Sequence, residues 1–387
     1  MRDMLFSRRS FLIAGTAAAS LLGTRVGFAA APGENRLVVI VLRGAMDGLD
    51  VVRPLGDRDL RGLRPKLTAG AYDAPLDLDG FFALNPGAGA LMPLWQAGEL
   101  GFAHAVATPY RAQRSHFVGQ DLLETGGPAG AAPGTSGWLN RAVGRIPGAS
   151  PALAVTVGRE PMLILEGDAP ARQWLPAADS TLSGQGEALL TRLHAADPAF
   201  AESFRQALML RAETDAERIV GKDDKRDQLG AYVAARLNAE ARIAAFSLGG
   251  WDTHHNQAPA LERRLGVLSD TILALKTGLA GNWGSTLVLA MTEFGRTARE
   301  NGSGGTDHGT GGAVLLAGGA LRGRRVMGRW PGLSETALYG KRDLMPTGDL
   351  RAYAGWALHD LFGLATAEIE GAVFPALDLG PSPRLIR

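Results

Sequence analysis

The chain has 387 residues, with 40 lysines and arginines against 39 aspartates and glutamates, seven histidines and no cysteine. A near-neutral balance argues against a nucleic-acid partner, which would call for a basic surface. The absence of cysteine removes disulfides, thiolate nucleophiles and cysteine-held zinc or iron–sulfur clusters, so any metal must be held by Asp, Glu, His or backbone oxygen.

At the N-terminus, Ser7-Arg8-Arg9-Ser10-Phe11-Leu12 reads as a twin-arginine export signal. The apolar stretch that follows, Phe11 to Leu22, is too short for a permanent membrane helix. Small residues at Gly27-Phe28-Ala29 predict cleavage after Ala29, which makes residues 1–29 a signal peptide and 30–387 a single domain. Cleavage would remove four arginines and one aspartate and leave 36 basic against 38 acidic side chains, a net charge of −2. The expected location is periplasmic or secreted. The translocase of the twin-arginine route is the expected export partner, and no permanent span is expected.

The first predicted element of the mature chain is Leu37-Val38-Val39-Ile40-Val41-Leu42, a continuous apolar run typical of a parallel strand buried on both faces. Asp47 follows it in a loop between Gly44 and Gly48. A carboxylate there suits a cation, and a turn or N-cap aspartate is the structural alternative. Further on, Ser115 stands at the N-cap of a helix predicted to run to Glu124 and to stop at Gly126. A serine at a positive helix end beside Arg111 and Arg114 fits a phosphate or sulfate site as well as an ordinary cap. His116 could act as a base or a ligand.

Strand-like runs recur at Ala152–Val157, Met162–Leu165, Ile243–Leu248, Thr286–Met291 and Ala313–Ala317. A charged helical insertion is expected near 198–242. Leu261, Leu265, Leu268, Ile272, Leu275 and Leu279, spaced by four and three, mark an amphipathic helix, and a closing helix is expected from Asp349 through Leu361. Strands alternating with helices imply an α/β sandwich with a mostly parallel central sheet and helices on both faces. Ligands in such folds bind beyond the carboxyl ends of the strands.

Three of those strand ends carry metal-type donors. One loop reads Gly249-Gly250-Trp251-Asp252-Thr253-His254-His255, another Gly305-Thr306-Asp307-His308-Gly309, and Glu293 closes the Thr286–Met291 run in Thr292-Glu293-Phe294-Gly295-Arg296. Imidazole nitrogen beside carboxylate oxygen is a donor set for a divalent metal, here zinc, manganese, calcium or magnesium. A structural Glu293–Arg296 pair is the competing reading. His104, His194 and His359 read as structural.

Taken in order, Arg43-Gly44-Ala45-Met46-Asp47-Gly48, Arg114-Ser115-His116-Phe117, Gly249-Gly250-Trp251-Asp252-Thr253-His254, Met291-Thr292-Glu293-Phe294-Gly295-Arg296 and Thr306-Asp307-His308-Gly309 resemble the domain-of-unknown-function 1501 family. Its members resemble the alkaline phosphatase and sulfatase superfamily. The resemblance implies an alkaline-phosphatase-like sandwich with Asp47 as a first-strand metal ligand and Ser115 as nucleophile. It also implies Asp252 with His254 or His255 as one metal's pair, and His308 as a late ligand. Where the superfamily usually has Asp-His, this chain has Glu293-Phe294, so one fully ligated metal or an oxygen-rich site fits better than two zincs.

The functional expectation is an exported hydrolase of phosphate or sulfate esters, small-molecule or polysaccharide. Asp47, Asp252, His254, His255, Glu293, Asp307 and His308 are its candidate ligands, and Ser115, His116 and Arg114 its catalytic candidates. The alternative is a non-catalytic envelope binding or assembly protein whose metal stabilises the same fold.

Overall fold

A computed structural model describes residues 33–111, 114–128, 134–158, 162–174 and 228–387. The expected signal peptide, His194 and residues 198–227 of the expected insertion lie outside the described residues.

Nine strands of the described residues form the central sheet: β1 (Arg36–Leu42), β2 (Leu100–Ala107), β3 (Ala154–Val157), β4 (Arg172–Trp174), β5 (Ile243–Leu248), β6 (Thr286–Met291), β7 (Gly312–Ala317), β8 (Val326–Met327) and β9 (Gly348–Asp349). Their order is β8-β2-β7-β6-β1-β5-β3-β4, with β9 also pairing to β2. All pairings are parallel except those that β7 makes with β2 and β6. The sheet is therefore mostly parallel, as the alternation of runs and helices predicts.

β1 explains why its sequence is apolar without alternation. All seven of its residues are buried. Val38, Ile40 and Leu42 enter one core and Leu37, Val39 and Val41 the other, so each face of the pleat meets its own helical layer. On the first face lie α3 (Gln228–Asn238) and α4 (Gln257–Leu279). The predicted stripe from Leu261 to Leu279 is the buried side of α4. Each such leucine contributes about 1.5–3 kcal/mol by leaving water, so a charge at Leu268 would break that layer. The other face carries α2 (Trp138–Val143) and α5 (Leu350–Phe362). α5 is capped by the Asp349 side chain, which accepts from Arg351 N at 2.9 Å, and it ends at Gly363.

Two local expectations are corrected. Met162–Leu165 is no strand: Leu163–Leu165 forms a short 3-10 turn whose Ile164 is buried under α2. β2 is not marked by a strand-like run in the sequence. Gly101, Ala103, His104 and Ala105 dilute its β-branched character, yet all eight residues are buried. Of the expected insertion, residues 228–242 are described, and they pack Val233, Ala234 and Leu237 of α3 into the core.

The carboxyl ends of β1, β2, β5 and β6 lie at one end of the sheet, and antiparallel β7 starts there. The loops after Leu42, Ala107, Leu248 and Met291 and the loop before Gly312 therefore gather at that end. α1 (His116–Thr125) is the helix that follows the β2 loop.

Candidate metal centre

Close backbone approach and one buried arginine hold these loops together. A Cβ on Gly44, whose φ is +116°, would stand 2.6 Å from Asp252 N, and one on Gly305 would stand 2.3 Å from the His254 carbonyl oxygen. Arg296 is buried. Its Nε donates to Ala45 O at 2.7 Å and its Nη1 to Thr306 O at 3.0 Å. Its Nη2 donates to Gly44 O at 2.7 Å, Trp251 O at 3.1 Å and Asp252 Oδ1 at 2.6 Å. One guanidinium thus ties the β1, β5 and β6 loops to the Thr306 loop.

Around Asp252 stand three imidazoles. His254 Nε2 is 3.0 Å and His308 Nε2 3.3 Å from Asp252 Oδ1, while His116 Nε2 is 3.4 Å from Asp252 Oδ2. His254 Nε2 and His308 Nε2 are 3.0 Å apart. Donor atoms of His116, Asp252 and His308 all lie within 4.8 Å of one another. Two nitrogens on one tetrahedral zinc, with bonds of about 2.0–2.1 Å, stand about 3.3 Å apart, so this spacing suits a shared cation.

The other ring nitrogens decide which tautomer each histidine holds. His116 Nδ1 meets Glu293 Oε1 at 2.8 Å, His254 Nδ1 meets Asp307 Oδ1 at 3.3 Å, and His308 Nδ1 meets the Arg114 carbonyl at 2.9 Å. Ionised carboxylates and carbonyls only accept, so each Nδ1 carries a proton; a neutral ring then has its lone pair on Nε2, facing the Asp252 carboxylate, a contact that needs a proton or a cation between the two atoms. Metal-bound histidines are oriented by such outer acceptors. His116 Nε2 is shielded from solvent and has no hydrogen-bond partner among the described residues.

Electrostatics point the same way. Asp252, Glu293 and Asp307 are three carboxylates, and Arg296 is the guanidinium that binds one of them. With the imidazoles counted as neutral these four groups sum to −2, of which the charges of Asp252 and Asp307 are exposed to water and that of Glu293 is not. Glu293 is wholly buried. Burial would raise its pKa, but hydrogen bonds, led by that from His116 and joined by Gln120 Nε2 and Gly44 N, hold it below the usual carboxylate range. Asp252 also stays low: burial pushes it up, and the Arg296 hydrogen bond and charge outweigh that. The hydrogen bond to Glu293 raises the His116 pKa against the opposing effect of burial. A positive charge, proton or metal, is thus favoured at His116 Nε2. The donor set fits a divalent metal, with His116, His254, His308 and Asp252 as the side chains that would hold it.

The remaining candidates are placed as follows. Asp47 is buried in a separate network. Its Oδ2 takes Arg64 Nη1 at 2.8 Å, Gln257 Nε2 at 2.7 Å and Thr306 Oγ1 at 3.3 Å. Gln257 Nε2 also reaches Asp50 Oδ2 at 2.8 Å, and Arg53 pairs with Asp50 at 2.8 Å. The Gln257 Oε1 accepts from Thr253 and Thr306, the residues just before His254 and Asp307, at 3.0 and 2.7 Å. His255 is exposed and shares none of the contacts around Asp252. Glu293 and Asp307 stand behind His116 and His254. Ser115 is the N-cap of α1 without a side-chain capping bond, and its backbone N donates to the Tyr110 hydroxyl at 2.6 Å. Arg114 reaches the cluster through its carbonyl, while its side chain lines a recess of about 90 Å³ with Tyr110, Thr310 and Arg342.

The Glu293–Arg296 pair does not form, because Arg296 serves Asp252 and Glu293 serves His116. Sequence reasoning missed Gln120 and Gln257. Gln120 lies four residues after His116, a helical spacing that could have signalled a shared face. His104 and His359 are structural: His104 is buried against Phe82 and Trp330, and His359 Nδ1 meets Leu364 O at 2.8 Å. Among the described residues, no helix is long and apolar enough to cross a membrane.

The model of the family described as "Protein of unknown function (DUF1501)" matches residues 85–351. No curated protein matches the chain by sequence. Among solved structures it is similar to the lipoteichoic acid synthase LtaP from Listeria monocytogenes, with 10% identity, TM-score 0.34, and 72% of this chain and 62% of that chain covered. A protein in the alkaline phosphatase superfamily from Vibrio parahaemolyticus gives 12% identity, TM-score 0.33, and 74% and 60% coverage. Ps i-CgsB in complex with k-i-k-neocarrahexaose gives 12% identity, TM-score 0.33, and 86% and 72% coverage. The chain spans less than two thirds of the length of the first two.

Proposed function

We propose that this chain, which belongs to the DUF1501 family, is an exported metal-dependent hydrolase of phosphate or sulfate esters. The observation that carries the reading is the convergence of three imidazole Nε2 atoms on Asp252. The motif resemblance to the alkaline phosphatase and sulfatase superfamily supports the ester chemistry, and the twin-arginine pattern at Arg8 and Arg9 supports export to the periplasm.

His116, His254, His308 and Asp252 would hold the cation, with Glu293, Asp307 and the Arg114 carbonyl fixing the three rings. A divalent metal held there supplies Lewis-acid polarisation of an ester oxygen. Ser115, at the positive end of α1, would attack phosphorus or sulfur as the ester's alkoxide departs. Its proton would pass to solvent, and water would release the bound group in a second step. Arg114 and Arg342, which line one recess beside Gly309, would hold the remaining anionic oxygens.

Turnover of aryl phosphate and aryl sulfate by the full chain, loaded in turn with zinc, manganese, magnesium and calcium, tests this. Ser115→Ala is expected to cut turnover by orders of magnitude while metal content stays unchanged. No turnover with any metal, or full activity in Ser115→Ala, would contradict it. One observation favours a second reading, a metal-stabilised binding or assembly module: no described side chain hydrogen-bonds the Ser115 hydroxyl to activate it. That reading expects a metal-dependent rise in melting temperature without turnover.

A further inference from the structure

Asp307, whose Oδ1 meets His254, also lines a cavity of about 590 Å³, within the range of small-molecule sites. Arg342 lines it too, and its Nη1 donates to the His308 carbonyl at 2.9 Å. The cavity and the metal centre therefore share a wall.

The lining has two parts. Leu63, Leu333 and Leu338 are buried and give it an apolar floor. Above the floor, Arg299 and Asp59 bring opposite charges to one cavity without pairing. The Arg299 guanidinium has a single long contact among the described residues, to Gly62 O at 3.5 Å, and the Asp59 carboxylate has none. Glu300 differs, since its oxygens are taken by the backbone N–H groups of Lys66 and Leu67 at 2.9–3.2 Å.

We infer that this cavity is a saccharide subsite, which receives the polyhydroxylated alcohol portion of the ester; this rests on the hydrolase reading above. A hydroxyl both donates and accepts, so neighbouring hydroxyls on a sugar ring satisfy a free carboxylate and a free guanidinium together. The C–H face of the ring covers the leucine floor. The charged lining is mixed, with Asp59, Glu300, Asp307 and Glu335 against Arg299, Lys341 and Arg342, so it carries no positive excess to draw a polyanion. A neutral sugar fits best.

The test is calorimetric titration of the metal-loaded full chain with neutral glucan, galactan and mannan tetrasaccharides. One series is expected to bind at a single site. Arg299→Ala, which removes the free donor, and Ser334→Trp, which fills the cavity from its rim, should each weaken binding about tenfold or more. His308→Ala, which breaks the metal centre, should leave saccharide binding in place. No binding at about 10 mM by any series, or binding insensitive to both cavity variants, overturns the inference. Aryl-ester turnover without saccharide binding overturns this inference alone. Saccharide binding that Arg299→Ala weakens, in a chain with no turnover, upholds the subsite and overturns the hydrolase reading alone.

Discussion

Two polar clusters stand at the same end of the sheet and follow opposite electrostatic rules. Around Asp47, each carboxylate has its own arginine: Arg64 for Asp47 and Arg53 for Asp50, with the Gln257 amide joining the two. Around Asp252, three carboxylates stand with one guanidinium: Arg296 binds Asp252 alone, His116 and His254 serve Glu293 and Asp307, and three imidazole Nε2 atoms face Asp252. Glu293 is the buried carboxylate of this cluster, and unbalanced charge away from water is costly unless a proton or an ion compensates it. The difference teaches that a carboxylate at a strand end takes its role from what faces it. Arginine closes a site, and neutral histidine leaves it ready for a cation.

The largest expected effect tests whether the Asp47 cluster is self-sufficient. Arg64→Met leaves Asp47 buried and unpaired and should cost about 3–5 kcal/mol of unfolding free energy in urea denaturation. Metal content should be unaffected. A loss near zero would mean that Asp47 is balanced by something other than Arg64.

A smaller effect belongs to the cluster around Asp252. Glu293→Gln keeps the size of the side chain but removes the carboxylate behind His116. Metal affinity, measured by competition with a chelating dye, should fall about 10–100-fold. Unchanged affinity would remove Glu293 from the task of orienting His116.

The smallest difference at neutral pH contrasts two histidines. Burial pushes His104, beside the self-balanced cluster, down to about 4 from 6.5, whereas His116 in the unbalanced cluster is raised. Folded His104 binds fewer protons than unfolded His104, so its contribution is fully present above about pH 6.5 and is lost as pH falls toward about 4. His104→Gln should flatten that acid limb in urea midpoints of the metal-free chain. An unaltered limb would place the acid sensitivity elsewhere.

The layers of the fold are legible in sequence because burial on both faces writes itself as unbroken runs, as in β1, and a helix stripe writes itself as the leucine spacing of α4. Short or diluted runs are not legible in this way. Met162–Leu165 is apolar enough for a strand, but four residues do not fix a period, and the segment turns instead. The glycine-flanked loops mark where Asp252, His254 and His308 meet, and the structure brings His116, Glu293 and Asp307 to the same place. What the sequence does not carry is pairing across distance. Arg64 reaches Asp47 from 17 residues away, and Arg296 reaches Asp252 from 44 residues away rather than its near neighbour Glu293. Choosing between adjacent His254 and His255 is equally beyond pattern, because it depends on the backbone turn that ends at Asn256 in the left-handed region.

The most direct measurement is the divalent-metal content of the full chain and three variants, by elemental analysis after gel filtration. The parent chain should carry about one ion. His254→Ala and His308→Ala should each lose it, because a nitrogen donor is gone, while Asp47→Asn should keep it. A parent chain that takes up no divalent ion when offered zinc, manganese, magnesium or calcium would contradict the site, as would loss of the ion from Asp47→Asn with retention in His308→Ala.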